Sequence, residues 1–172
     1  MKTLFKLISL VCLSCGALNA ESYLVALQAP NGQYVCAEDG GGGGGDLNAN
    51  RWGLGPWETF IMENINGGPI TFNSHVSIRS VSKNMYWCAE RPSKGYDIEC
   101  NRPVRGPWED FLIYVMGQFE TGTKIYLITY MNHTAWCRHG GGDQVGGYWP
   151  GDLGYSQFGY PDFTLTVLAV LP

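Results

Sequence analysis

Short apolar runs separated by clusters of Gly, Pro, Asn and Asp recur along the chain. Near the start these runs are Tyr23–Leu27, Gln33–Ala37, Leu47–Asn50 and Thr59–Glu63. Each is rich in β-branched, aromatic or aliphatic residues, which suit a pleated, half-buried surface, and each is bounded by turn formers. They read as strands. No stretch keeps apolar positions at helical spacing over several turns, so no helix is predicted.

Residues 1–20 do not follow this pattern. Lys2 and Lys6 precede the apolar run Leu7–Leu13, and the segment ends in the small-residue site Leu18-Asn19-Ala20. This order reads as a secretory signal peptide cleaved before Glu21, with 21–172 as one domain that is secreted or periplasmic. The apolar run falls short of the about 20 residues that span a bilayer, so membrane insertion is not expected. Lipidation at Cys15 is the alternative reading; Cys12 stands where a lipobox wants Leu and argues against it.

Beyond that leader the chain repeats itself. The first block runs Tyr34-Val35-Cys36-Ala37-Glu38, then Asp46-Leu47-Asn48-Ala49-Asn50-Arg51, then Gly55-Pro56-Trp57-Glu58-Thr59-Phe60. A second block gives Tyr86-Trp87-Cys88-Ala89-Glu90, Asp97-Ile98-Glu99-Cys100-Asn101-Arg102 and Gly106-Pro107-Trp108-Glu109-Asp110-Phe111. The third is decayed: Ala135-Trp136-Cys137, Gly140-Gly141-Gly142-Asp143 and Gly159-Tyr160-Pro161-Asp162-Phe163, without the Asn-Arg pair or the motif tryptophan. A repeat of about 50 residues holding about four strands cannot bury its own apolar face. The expected fold is therefore all-β: a β-trefoil of three pseudo-symmetric repeats of about four strands each. A sandwich does not require such equivalence, and three blades are too few for a propeller.

The combination of Asn31-Gly32-Gln33-Tyr34-Val35-Cys36-Ala37-Glu38, the run Gly40–Gly45, Asn50-Arg51 and Gly55-Pro56-Trp57-Glu58-Thr59-Phe60 resembles the signature of fascin-like β-trefoil domains. That resemblance implies the trefoil fold. For function it implies either actin binding, as in animal fascins, or carbohydrate attachment, as in bacterial secreted modules. Fold alone does not choose between them.

Within the repeats, Trp57 and Trp108 are expected to pack in a barrel layer. Arg51 and Arg102 are expected to pair with Glu58 and Glu109 as structural clamps. Cys36, Cys88 and Cys137 share one repeat position, and small buried thiols are ordinary core residues. Cys100 has Ala49 as its first-repeat counterpart and lies on the strand following Cys88, so a Cys88–Cys100 disulfide is the candidate bridge in an oxidising compartment.

Chemistry is sparse. Gly40–Gly45 lacks the Gly-Lys-Ser/Thr of a phosphate loop and reads as a hairpin turn, so no cofactor is expected. The set His133, Cys137, His139 needs strand geometry through glycines to bind a metal, and no metal site is assigned. Gly154-Tyr155-Ser156-Gln157-Phe158-Gly159 is one residue too long for a nucleophile elbow, and no catalytic residue is assigned. The net charge of −4, more negative once Lys2 and Lys6 are removed, argues against nucleic acid and anionic membranes as partners.

The residues that break the repeat point elsewhere, because packing does not demand them. Tyr148, Trp149 and Tyr155 lie in a Gly-rich stretch of the third repeat near Asp143. Trp52 follows Asn50-Arg51 where the second repeat has Pro103. Aromatics on exposed loops beside Asn and Asp suit stacking on sugars. Trp52, Asn50, Tyr148, Trp149, Asp143 and Tyr155 are therefore the candidate ligand-binding residues. They describe a non-catalytic, lectin-like binder of a glycan or polysaccharide, with a protein partner such as actin as the alternative.

Overall fold

The computed structural model describes residues 21–43, 45–90, 97–137, 142, 145–148 and 163–171, with backbone only for 146–148. Met1–Ala20, and with it the predicted leader, lies outside these residues. The described strands are β1 (Ser22–Gln28), β2 (Tyr34–Ala37), β3 (Leu47–Arg51), β4 (Phe60–Asn64), β5 (Ser74–Ser80), β6 (Tyr86–Ala89), β7 (Ile98–Arg102), β8 (Phe111–Val115), β9 (Lys124–Thr129), β10 (Thr134–Cys137), β11 (Val145–Tyr148) and β12 (Phe163–Leu171).

Six of these strands close on themselves. β1 pairs with β4, β4 with β5, β5 with β8, β8 with β9, β9 with β12 and β12 with β1, all antiparallel. Closure leaves no barrel edge open to stray pairing. The remaining strands form the hairpins β2–β3, β6–β7 and β10–β11, which join the ring through β1, β5 and β9. The β-trefoil predicted from the repeats is thus corrected to a closed six-stranded antiparallel barrel with extra strands; the all-β class is unchanged. Sequence repetition reports that matched segments adopt matched local structure. It does not dictate how those segments join, and the third copy lacks the Asn-Arg pair that shapes the other two.

Alternation along the strands builds the core. In β8 Phe111, Ile113 and Val115 point inward and Leu112 and Tyr114 outward. The phenylalanine ending each repeated motif (Phe60, Phe111, Phe163) is fully buried. Trp87, also fully buried, meets Phe60 edge-on at 5.0 Å. The motif tryptophans do not share this role. Trp57 is 39% exposed and Trp108 half-buried, because both sit in turns before β4 and β8, so their expected barrel packing is corrected.

The cysteine bridge is corrected as well: Cys88 and Cys100 are unbridged and buried. Cys100 stands opposite Trp87, and Cys88 opposite Glu99. Neighbouring strand positions face opposite sides, so the two sulfurs project from opposite faces of their hairpin. The Cys100 thiol instead donates to the Met85 carbonyl at 3.1 Å.

Candidate ligand-binding surface

Two matched polar clusters fix the ends of the first two hairpins. Glu38 leaves β2 through a short 3-10 turn and accepts from Asn48 (3.3 Å), Asn50 (3.1 Å) and Arg51 (2.9 Å). Arg51 also donates to the Asn50 amide oxygen at 2.7 Å and reaches Glu58 at 3.9 Å. In the second copy Glu90 accepts from Asn101 (3.2 Å) and Arg102 (2.5 Å), and Arg102 reaches Glu109 at 4.0 Å. Glu109 additionally accepts from the Gly106 amide at 2.7 Å. The predicted Arg51–Glu58 and Arg102–Glu109 pairs are therefore the long arms of these clamps. Glu38 and Glu90, which hold the arginines closest, were missed; their identical place after Cys-Ala in both repeats was the available signal.

The thiols beside the clamps are quiet. Burial first, then the Glu58 hydrogen bond and the charges of Glu38 and Glu58, push Cys36 up to about 12. Burial and Glu109 raise Cys88 in the same way, and burial takes Cys100 to about 11. Thiols held this way are poor nucleophiles. The carboxylates Glu58, Glu90 and Glu109 are buried against arginine rather than opposed across a cleft, which a glycosidase pair requires.

Trp52 stands just past the first clamp and is 74% exposed. Its six-membered ring edge rests on Gly32, where a Cβ would lie 3.9 Å away. Gly32 has φ 86° in the β1–β2 turn, closed by Ala29 N–H to the Gln33 carbonyl (2.8 Å) and Gly32 N–H to the Ala29 carbonyl (2.9 Å). In the same turn Asn31 and Gln33 orient each other: the Asn31 amide donates to Gln33 Oε1 at 2.5 Å, and Gln33 N–H donates to Asn31 Oδ1 at 3.0 Å. The third repeat arrives here too, since Gly142 N–H donates to the Ala49 carbonyl at 2.6 Å and lies beside Gln33. An exposed indole against a turn that carries side-chain amides can stack on an apolar ring face, with amides of that turn available for the groups at its rim.

The other candidates fare differently. Asn50, two positions before Trp52 along the chain, donates to Glu38 at 3.1 Å and accepts from Arg51 at 2.7 Å. Tyr148 pairs with Thr134 through the backbone of β11, and its side chain lies outside the described residues. Trp149, Asp143 and Tyr155 lie outside them altogether, as does His139; His133 is buried. Sequence reasoning missed Asn31 and Gln33, which look like ordinary turn residues. It also missed two aromatic pairs with one exposed ring each: half-buried Trp108 with exposed Tyr130 at 6.0 Å, and exposed Phe72 with half-buried Tyr114 at 4.8 Å.

No family model matches the chain, and no curated protein sequence matches it. Among solved structures it is similar to the SDF2-like protein from Arabidopsis thaliana, with a TM-score of 0.56, 8% identity, and coverage of 89% of this chain and 94% of that one. That likeness concerns the fold alone and goes with the closed-barrel architecture that replaced the predicted trefoil.

Proposed function

We propose that the protein is a non-catalytic carbohydrate-binding protein whose primary platform is Trp52. The observation that carries this reading is the indole itself, 74% exposed, seated on Gly32 and next in sequence to the Glu38–Asn50–Arg51 clamp. Exposing so large an apolar ring without using it forgoes its burial energy. The repeat shows that the scaffold does not need it, because Pro103 fills the matched position. The Asn31 and Gln33 amides supply neutral hydrogen-bonding groups of the kind that recognise hydroxyls. The net charge of −4 favours neutral hexopyranose chains over sulfated or uronic ones.

A glycan array probed with the purified protein and with Trp52→Ala tests this. Binding to neutral glycans, lost in the variant while circular dichroism is unchanged, is the expected result. A blank array together with co-sedimentation on F-actin overturns it in favour of a protein-binding role. Binding that survives Trp52→Ala overturns the assignment of the platform.

A further inference from the structure

We propose that Trp108 and Tyr130 form a second pyranose-stacking platform, so that one chain carries two carbohydrate sites at the same end of the barrel. The inference rests on the carbohydrate reading of Trp52 and adds valency to it.

Tyr130 is 64% exposed, at the head of the turn between β9 and β10. That turn is closed by Thr129 N–H to the His133 carbonyl and Asn132 N–H to the Thr129 carbonyl, both 2.8 Å. Asn132 takes φ 62°. Equivalent bonds close the β5–β6 turn around Ser80 and Asn84, and the β1–β2 turn around Ala29 and Gly32. The residues matching Tyr130 there are Val81 and Pro30, so the turn itself does not call for an aromatic ring. Like Trp52, Tyr130 breaks the repeat and is displayed to solvent.

Its neighbour is rigid. Trp108 sits in the 3-10 turn Pro107–Glu109, tied down by the Glu109 carboxylate on Gly106 N–H. The two ring centroids are 6.0 Å apart and the planes are inclined by 51°. At that spacing the two rings are in tilted contact with each other, so a sugar would lie across the outward face of Tyr130 and the adjoining edge of Trp108 rather than between the rings. By contrast Phe72 and Tyr114 are stacked at 15° and spend their inner faces on each other. Arg105 and Asn132, close in sequence to Trp108 and Tyr130 respectively, are exposed. Two ring faces fall well below the roughly 800 Å² per partner of a stable protein interface, yet they match one or two sugar rings of an oligosaccharide.

The test follows the indole N–H signals of the six tryptophans by 1H–15N NMR, assigned by Trp→Phe substitution. The probes are cellohexaose, mannohexaose and chitohexaose. At least one hexaose is expected to move both the Trp52 and Trp108 signals. Tyr130→Ala is expected to weaken the Trp108 response about tenfold while leaving that of Trp52 unchanged. Tyr130→Phe should restore it, and an unchanged thermal midpoint shows that the fold is intact. Movement at Trp52 alone overturns the second platform and leaves the first standing. Silence at both overturns both. A Trp108 response indifferent to Tyr130→Ala overturns the pairing of the two rings.

Discussion

Replacing the clamp arginine by methionine in each repeat compares two clamps that differ in the burial of the short-arm carboxylate and in Asn48, a donor to Glu38, standing where the second repeat has Glu99. Arg51 and Arg102 are alike, with side chains 39% and 38% exposed. Their long-arm partners Glu58 and Glu109 are alike too, both buried. The short-arm partners are not: the Glu38 side chain is 27% exposed and that of Glu90 only 5%. Removing one member of a fully buried ion pair costs about 3–5 kcal/mol, chiefly because the other charge is left without compensation. The arginine heads here are more than a third exposed, so solvent screening lowers that figure. Arg102→Met is expected to cost about 2–4 kcal/mol, since Glu90 and Glu109 are both stranded. Arg51→Met is expected to cost about 1–2 kcal/mol, since Glu38 can turn to water.

Urea denaturation provides the measurement, with the two variants compared by midpoint at constant slope. The double variant Arg102→Met/Glu90→Gln removes one stranded charge and should recover part of the loss, giving a non-additive cycle. Equal losses in the two repeats, or strict additivity of Arg102→Met and Glu90→Gln, would refute the argument that burial of the first glutamate sets the strength of the clamp.

Four further expectations follow from single environments. The folded-state values of Cys36 and Cys100, raised to about 12 and about 11, should leave them unalkylated by iodoacetamide at pH 8 until the protein unfolds, read peptide by peptide by mass spectrometry. Because the folded state holds these protons more tightly than the unfolded one, stability should be intact below about pH 9 and fall as pH rises towards 12, and Cys36→Ala should flatten that decline. His133 is lowered by burial, so its contribution has the opposite sense: present above 6.5, lost as pH falls, and absent in His133→Gln, all measurable as thermal midpoint against pH. Gly41→Ala should cost about 2–4 kcal/mol, since φ is 92° and a Cβ would lie 2.7 Å from the Cys100 carbonyl oxygen, whereas Gly43→Ala, with open space around it, should be near neutral.

What the sequence made legible depended on whether a residue's partner lay in the same repeated block. The strands, the turns and the clamp arginines follow from local pattern and from Asn-Arg occurring twice at the same place. The buried phenylalanines follow from alternation. The hairpin sulfurs did not follow. Their faces depend on a register shift between Tyr34 and Val35 in β2, repeated between Tyr86 and Trp87 in β6, and no composition signals such a bulge. Nor did the way the ring closes, because β1–β12 pairing joins the first and last described strands, far apart in sequence, and no local pattern encodes it. Trp52 stood out because the second repeat has Pro103 in its place. Tyr130 was missed because an isolated tyrosine in a turn is unremarkable until Trp108 is seen beside it.

If a platform arises wherever an unmatched ring meets a matched tryptophan, the scaffold should accept a third. Trp57 occupies in the first repeat the place that Trp108 has in the second, and it too meets the turn of the following repeat: Ser82 Oγ donates to the Pro56 carbonyl at 3.0 Å, and Val81 N–H to the Thr59 carbonyl at 3.2 Å. Val81 is exposed and matches Tyr130. Val81→Tyr would therefore set a ring beside Trp57 with little strain, since an exposed turn residue changes stability by about 0.5 kcal/mol or less. The expected outcome is a new hexaose-dependent shift of the Trp57 indole signal, absent in the wild type. A folded Val81→Tyr protein whose Trp57 signal stays still would show that two adjoining rings at this end of the barrel are not enough. Polar groups near Tyr130 that the first repeat lacks would then have to supply the recognition that the rings alone do not.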